Sequence, residues 1–160
     1  MDEQYFMEQA LCLAKEDAKD GEVPVGCVIV RKGEIVGRGR NRRETDKTAL
    51  GHAEIEAISD ACKRLGGWRL WECEMYVTLE PCPMCAGAII NARIPKVIVG
   101  AKDETCGACG SVCDLFTMEF NHHPQVEFGV LEAESTALLT EFFKNLREQL
   151  KDRPKWKKPE

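Results

Sequence analysis

His52-Ala53-Glu54 and, some thirty residues later, Pro81-Cys82-Pro83-Met84-Cys85 are the residues whose types and spacing can do chemistry. One imidazole and two thiolates form a zinc-type donor set. Three protein ligands leave a fourth tetrahedral position open to water, as catalytic sites do and closed structural sites do not. Glu54 is two residues from His52, a spacing that does not share a helix face, so it flanks the metal without joining it. A carboxylate in that place can take a proton from an activated water and return it later. Each residue alone has a plainer reading: a hydrogen-bonded core histidine, and a pair of buried apolar thiols. The coincidence of H-x-E with P-C-x-x-C points past those readings. A rival uses a second pair, Cys106-Gly107-Ala108-Cys109. Two C-x-x-C pairs in tandem can form a closed four-thiolate structural zinc module, with His52 idle. Against it, Cys85 runs into Ala86-Gly87-Ala88-Ile89-Ile90, which reads as a helix and not as the tight turn of a zinc knuckle.

The elements that must position these residues follow from periodicity. Asp2 to Lys19 carries Phe6, Ala10, Leu13, Ala14 and Ala18 at helical spacing and stops before Gly21. Val25–Val30 and Glu34–Gly37 are β-branched runs joined through Lys32-Gly33, a hairpin, and 41–50 is a loop leading to His52. A second helix runs from His52 to Leu65 with Ile55, Ala57, Ile58, Ala61, Cys62 and Leu65 as its apolar stripe. Glu74–Leu79 is a strand, and Pro83 suits the first turn of a third helix ending near Ala92. Val97–Ala101 and Gln125–Val130 are further strands. Glu132–Lys151 is a closing helix with Ala137, Leu138, Phe142 and Leu146 inward. Both halves of the metal motif thus start helices, where free N–H groups and the helix dipole favour thiolate. The order predicts an α/β fold: a mixed five-stranded sheet with helices on both faces, in three α/β/α layers.

At 160 residues, 44% hydrophobic and 31% charged, the chain fits one domain, taken as 1–151 with a basic tail over 152–160. There is no basic stretch leading into an apolar run at Met1 and no membrane-spanning length of apolar residues, so no membrane partner and a cytoplasmic location are expected. Cys12, Cys27, Cys62 and Cys73 fall in amphipathic or strand-like stretches and read as core. The net charge of −5 is uneven. Arg31–Arg43 holds six basic residues against Glu34, and Lys144–Glu160 holds seven against three acids. Such runs suit either a solvated surface or RNA phosphates.

The combined signature is that of zinc-dependent nucleobase deaminases. Over nearly its whole length the chain resembles the bacterial tRNA-specific adenosine deaminases. The resemblance is carried by Glu22-Val23-Pro24-Val25-Gly26, Asn41, His52-Ala53-Glu54, Thr78 to Ala88, Asp103 with Gly107-Ala108-Cys109-Gly110-Ser111, and Phe120-Asn121-His122. Thr105-Cys106 stands where the family pattern often has Lys-Thr. The resemblance implies a cytidine-deaminase-like fold, a homodimer, and conversion of adenosine to inosine at the wobble position of a tRNA anticodon loop. It implies one zinc ion on His52, Cys82 and Cys85, Glu54 as proton shuttle, and substrate contacts from Asn41, Asp103 and Asn121. Phe142, Phe143 and Arg147, with the tail, would face the anticodon loop. Zinc chemistry alone does not choose the substrate, so a free nucleobase or nucleoside (guanine, cytosine, cytidine) is the alternative.

Overall fold

A computed structural model of the chain describes residues 2–151 and residue 159. The basic tail expected over 152–160 lies outside the described residues, residue 159 apart. Helix α1 (Glu3–Lys19) is capped by Asp2, whose carboxylate accepts the Gln4 N–H at 2.9 Å. Strands β1 (Gly26–Arg31) and β2 (Glu34–Arg40) form the expected hairpin. Lys32 and Gly33 both take left-handed backbone, φ 50° and 78°, as a two-residue turn matching the strand twist requires. There follow α2 (Ala53–Leu65), β3 (Cys73–Leu79), α3 (Pro83–Ala92), β4 (Lys96–Ala101), a 3₁₀ turn at Leu115–Thr117, β5 (Gln125–Phe128) and α4 (Glu132–Leu150).

The sheet order is β2-β1-β3-β4-β5. β1 is antiparallel to both its neighbours, while β3, β4 and β5 run parallel. Cys27, Ile29, Met75, Val77, Val97 and Val99 point to one face and pack with α2 and α3. Val28, Val30, Tyr76 and Ile98 point to the other, against Phe6, Met7 and Ala10 of α1. The result is the three-layer α/β/α arrangement with its mixed five-stranded sheet.

What places α2 is the absence of side chains at Gly37 and Gly39 of β2. A Cβ at Gly39 would stand 2.0 Å from the Ala53 carbonyl oxygen and 2.6 Å from the Ala57 nitrogen, so helix backbone rests on strand backbone. Backbone cannot swing aside as a side chain can. Gly39→Ala is therefore expected to destabilise at or above the upper end of the roughly 1–3 kcal/mol that overpacking costs. The strain falls on the residue after His52. A denaturation midpoint equal to that of the parent would refute the close approach.

Three expectations about the core are corrected. On α1 the buried set is Phe6, Met7, Ala10, Leu11, Ala14 and Asp17, with Leu13 and Ala18 half-buried. The stripe is rotated because Ala10 lies directly on Gly26, where a Cβ would overlap its carbonyl. On α4, Leu138, Phe142 and Leu146 are half-buried but Ala137 is exposed, and Ser135 is its buried residue. Cys12 is exposed, whereas Cys27 and Cys73 are core.

Candidate active site

The site lies where α2 and α3 begin. His52 is the N-cap of α2 and Cys82 the N-cap of α3, both in extended backbone and neither using its side chain to cap its helix. Pro83 follows at the first helical position and Cys85 completes the first turn. The Cys82 and Cys85 sulfurs lie 3.6 and 3.5 Å from His52 Nδ1, and the three donor atoms are all within 4.8 Å of one another. Tetrahedral zinc, with bonds of about 2.3 Å to sulfur and about 2.0–2.1 Å to nitrogen, requires N···S separations of about 3.5 Å. Both nitrogen–sulfur separations match that ion.

Among the described residues this is the one group of three or more such side chains that can hold a metal. Cys106 and Cys109 do not join it. Cys106 is exposed and Cys109 buried, and α3 occupies the stretch after Cys85 where a knuckle would have to turn. The closed four-thiolate module is not formed.

A cavity of about 470 Å³ opens over the donors. His52, Glu54 and Cys82 line it, as do Asn41 and Arg43 on one side and Lys102 to Cys106 on the other. Leu139 and Phe143 of α4 close part of its rim, and an adjoining groove runs past Lys102 and Thr140 to Arg147. Of the residues expected to meet RNA, Phe143 thus reaches the cavity and Arg147 the groove. Phe142 stacks edge-on against Phe143 at 5.5 Å.

Asn41 is 8% exposed, and its amide also holds the loop. Nδ2 donates to the Val23 carbonyl at 3.1 Å, and Oδ1 accepts the Arg43 N–H at 3.1 Å. One N–H and one lone pair remain for a base edge. Asp103 caps its own turn, with Oδ1 taking the Thr105 N–H, the Thr105 hydroxyl and the Cys106 N–H. Its second oxygen keeps acceptor capacity. Asn121 is exposed and does not line this cavity. The next residue, His122, bonds the Ile94 carbonyl just before β4, whereas Asp103 follows the end of β4. A six-residue strand puts about 20 Å between those ends.

The model of the cytidine and deoxycytidylate deaminase zinc-binding region matches residues 1–101. The chain belongs to that deaminase family. The tRNA-specific adenosine deaminase of Bacillus subtilis strain 168 is 46% identical over 150 residues, 93% of each chain. A solved structure from studies of A-to-I editing by tRNA:A34 deaminases superposes with a TM-score of 0.82 at 43% identity, over 84% of this chain and 99% of that one. A guanine deaminase from Bacillus subtilis superposes with a TM-score of 0.63 at 31% identity, over 100% and 99%. Zinc is the metal of this deaminase fold. No helix among the described residues of the deaminase is long and apolar enough to cross a membrane.

The electrostatics of the deaminase suit its chemistry. Glu54 is 4% exposed, and burial pushes its carboxyl up to about 7, opposed by its own backbone N–H, by Cys85 and by His52. A carboxyl poised near neutrality can both accept and donate a proton. Cys82 is held down at about 5, first by its hydrogen bond with Cys85, then, against burial, by the N–H groups of Cys85 and Met84 and by His52. Cys85 is pushed up, first by that same bond to Cys82 and then by burial and the Glu54 carboxylate. A divalent cation between the two sulfurs favours thiolate on both.

Three acids that the motif reading left without a role hold the cavity walls. Glu22, 1% exposed, accepts the N–H groups of Glu44 and Thr45 at 3.0 and 2.8 Å. Asp17, fully buried, accepts those of Asn41 and Val25 at 2.7 and 3.4 Å, with Arg40 at 3.6 Å. Glu80 serves the opposite wall. For Asp17 and Glu80 the available signal was an acidic residue inside an otherwise apolar helix face or strand end; Glu22, in the bend between α1 and β1, offered none.

Burial raises Asp17 from its usual 3.8 to about 7, against the lowering effects of the Asn41 and Val25 N–H groups and Arg40; Glu22 adds to the rise. A raised carboxyl pKa means that the folded chain binds the proton more tightly. Its stabilising contribution is complete below about 3.8 and is lost as pH climbs through about 7, a span on the order of 4 kcal/mol. Asp17→Asn removes this titration. The stability of the parent minus that of the variant should therefore fall between pH 4 and pH 8 in urea titrations, and a flat difference would remove Asp17 as the cause.

Proposed function

We propose that this deaminase converts adenosine to inosine by hydrolysis at the wobble position of a tRNA anticodon, as a cytoplasmic homodimer whose deaminase domain is residues 1–151. The reading rests on one observation: an open His-Cys-Cys donor group and the buried Glu54 share a single cavity, and that cavity is rimmed by Arg43, Lys102 and Phe143. Cations and an exposed aromatic beside a base-sized pocket suit a nucleotide splayed from a single-stranded loop, whose phosphates and stacked face both need partners.

His52, Cys82 and Cys85 hold zinc, which supplies Lewis acidity and brings the pKa of a water molecule to about 7. Glu54 takes a proton from the attacking water and passes it to purine N1 as the oxygen joins C6, then takes the remaining proton from that oxygen and gives it to the departing amine as the C6 carbonyl forms. Water is consumed and ammonia released, so the proton count closes on Glu54. Asn41 bonds a base edge with its remaining N–H and lone pair, and Asp103 accepts a ribose hydroxyl. Asn121, about 20 Å along β4, serves substrate only from a partner copy.

A second reading, deamination of a free purine, has its support in the 31% likeness to a guanine deaminase. Incubating the protein with an anticodon stem-loop, with free adenosine and with guanine decides between them. Inosine from the stem-loop alone is the expected result. Product from free bases or nucleosides alone would overturn the RNA assignment.

A further inference from the structure

The cavity wall opposite Asn41 is built by the segment after β4, from Lys102 to Cys106, and it continues through Gly107 to Ser111. We infer that Glu80 is the positioning residue for this wall: its buried carboxylate is the template on which residues 103–111 fold, so that it sets where Asp103 meets the substrate. The inference rests on the deamination reading for what the wall contacts, but not for what holds it.

Glu80 is 3% exposed and sits between the last residue of β3 and Pro81, two residues from Cys82. Its own N–H bonds the Ala101 carbonyl at 2.9 Å, tying the ends of β3 and β4 together. Its side chain then turns to the neighbouring loop. Oε1 accepts the Asp103 N–H at 3.2 Å and the Ser111 hydroxyl. Oε2 accepts the N–H groups of Cys109 and Ser111, each at 3.1 Å. Four donors fill the roughly four lone-pair sites that a carboxylate offers.

The fit is steric as well. A Cβ on Gly107 would stand 2.3 Å from Glu80 Oε2 and 2.4 Å from the Asp103 carbonyl, so the loop backbone lies directly on the carboxylate. The Ala108 N–H closes on the Pro81 carbonyl at 2.9 Å, and the Gly107 N–H on that of Asp103 at 2.8 Å. The segment carrying the metal thiolates and the segment walling the substrate cavity are thereby one body. No part of this requires Glu80 to touch substrate or metal, since all its acceptor sites face the loop.

The test compares the zinc-loaded parent with Glu80→Gln, which keeps the shape but turns one acceptor into a donor facing N–H groups. A core control, Val97→Ala, destabilises the same sheet away from the loop. For Glu80→Gln, zinc content should stay at the parent value. Amide exchange over 103–111 should quicken by roughly tenfold or more, since charge-assisted bonds of this kind are lost. KM for the anticodon stem-loop should rise roughly tenfold, with kcat falling less. Val97→Ala should shift the unfolding midpoint without that KM rise. Unchanged loop exchange in Glu80→Gln overturns the inference, and so does faster exchange with an unchanged KM. Should Glu80→Gln not fold, Ser111→Ala, which removes one donor only, decides by the same two readouts. If the parent deaminates guanine and not the stem-loop, the RNA reading has failed, and the KM comparison on guanine still decides the role of Glu80.

Discussion

Glu54→Gln is expected to keep its zinc and lose about 10²- to 10⁴-fold in kcat, the range that a positioned acid/base supplies. Glutamine fills the same space in the cavity floor and still offers an oxygen to the Cys85 thiol, so the donor set of His52, Cys82 and Cys85 is left standing. What it cannot do is carry a proton. The adenine amine leaves only as a protonated group, and of the titratable side chains lining the cavity, Glu54 is the buried one beside the donors that is poised near neutrality. Single-turnover formation of inosine, read beside zinc content, separates a lost proton shuttle from a lost metal. Retained turnover with full zinc would take Glu54 out of the mechanism.

The second large effect concerns the metal itself. Cys85→Ala removes a donor that is fully buried in the first turn of α3, 3.5 Å from His52 Nδ1. No other sulfur joins the group to replace it. The loss in zinc affinity should exceed the roughly 10- to 100-fold that changes to outer-shell partners cost, and activity should vanish with the ion. The paired variant Cys106→Ser/Cys109→Ser should keep one zinc per chain, because those thiols stand outside the donor group. Metal analysis of the two proteins should therefore give opposite results, whereas a closed four-thiolate site would lose its ion in both. That outcome would also deny water a place in the coordination shell and end the account of catalysis.

How much was legible beforehand differs from element to element. The hairpin could be read because Lys32-Gly33 separates two β-branched runs, and a turn of that length admits few backbone solutions. The start of α3 could be read because Pro83 lacks the N–H that a first turn leaves unpaired in any case. The apolar face of α4 could be only partly read. A helical period states which residues share a side, but how deeply that side is covered depends on neighbours remote in the chain, and Ala137 proved exposed. Asn121 shows the same limit in the site. Its matching motif suggested a substrate contact, yet the chain carries it to the far end of β4 from Asp103.

The identity of the chemistry was written in local sequence. Metal choice and proton transfer depend on donor type and on spacings of two and three residues, and a helix start presents such spacings in one way wherever it occurs. The walls of the cavity were not. Asp17, Glu22 and Glu80 read as ordinary acids until folding buries each against the backbone N–H groups of a segment 20 or more positions away in the chain. A buried carboxylate gains its role only from the donors that surround it, and which donors arrive is settled by the packing of α1 and β3 and not by neighbours along the chain.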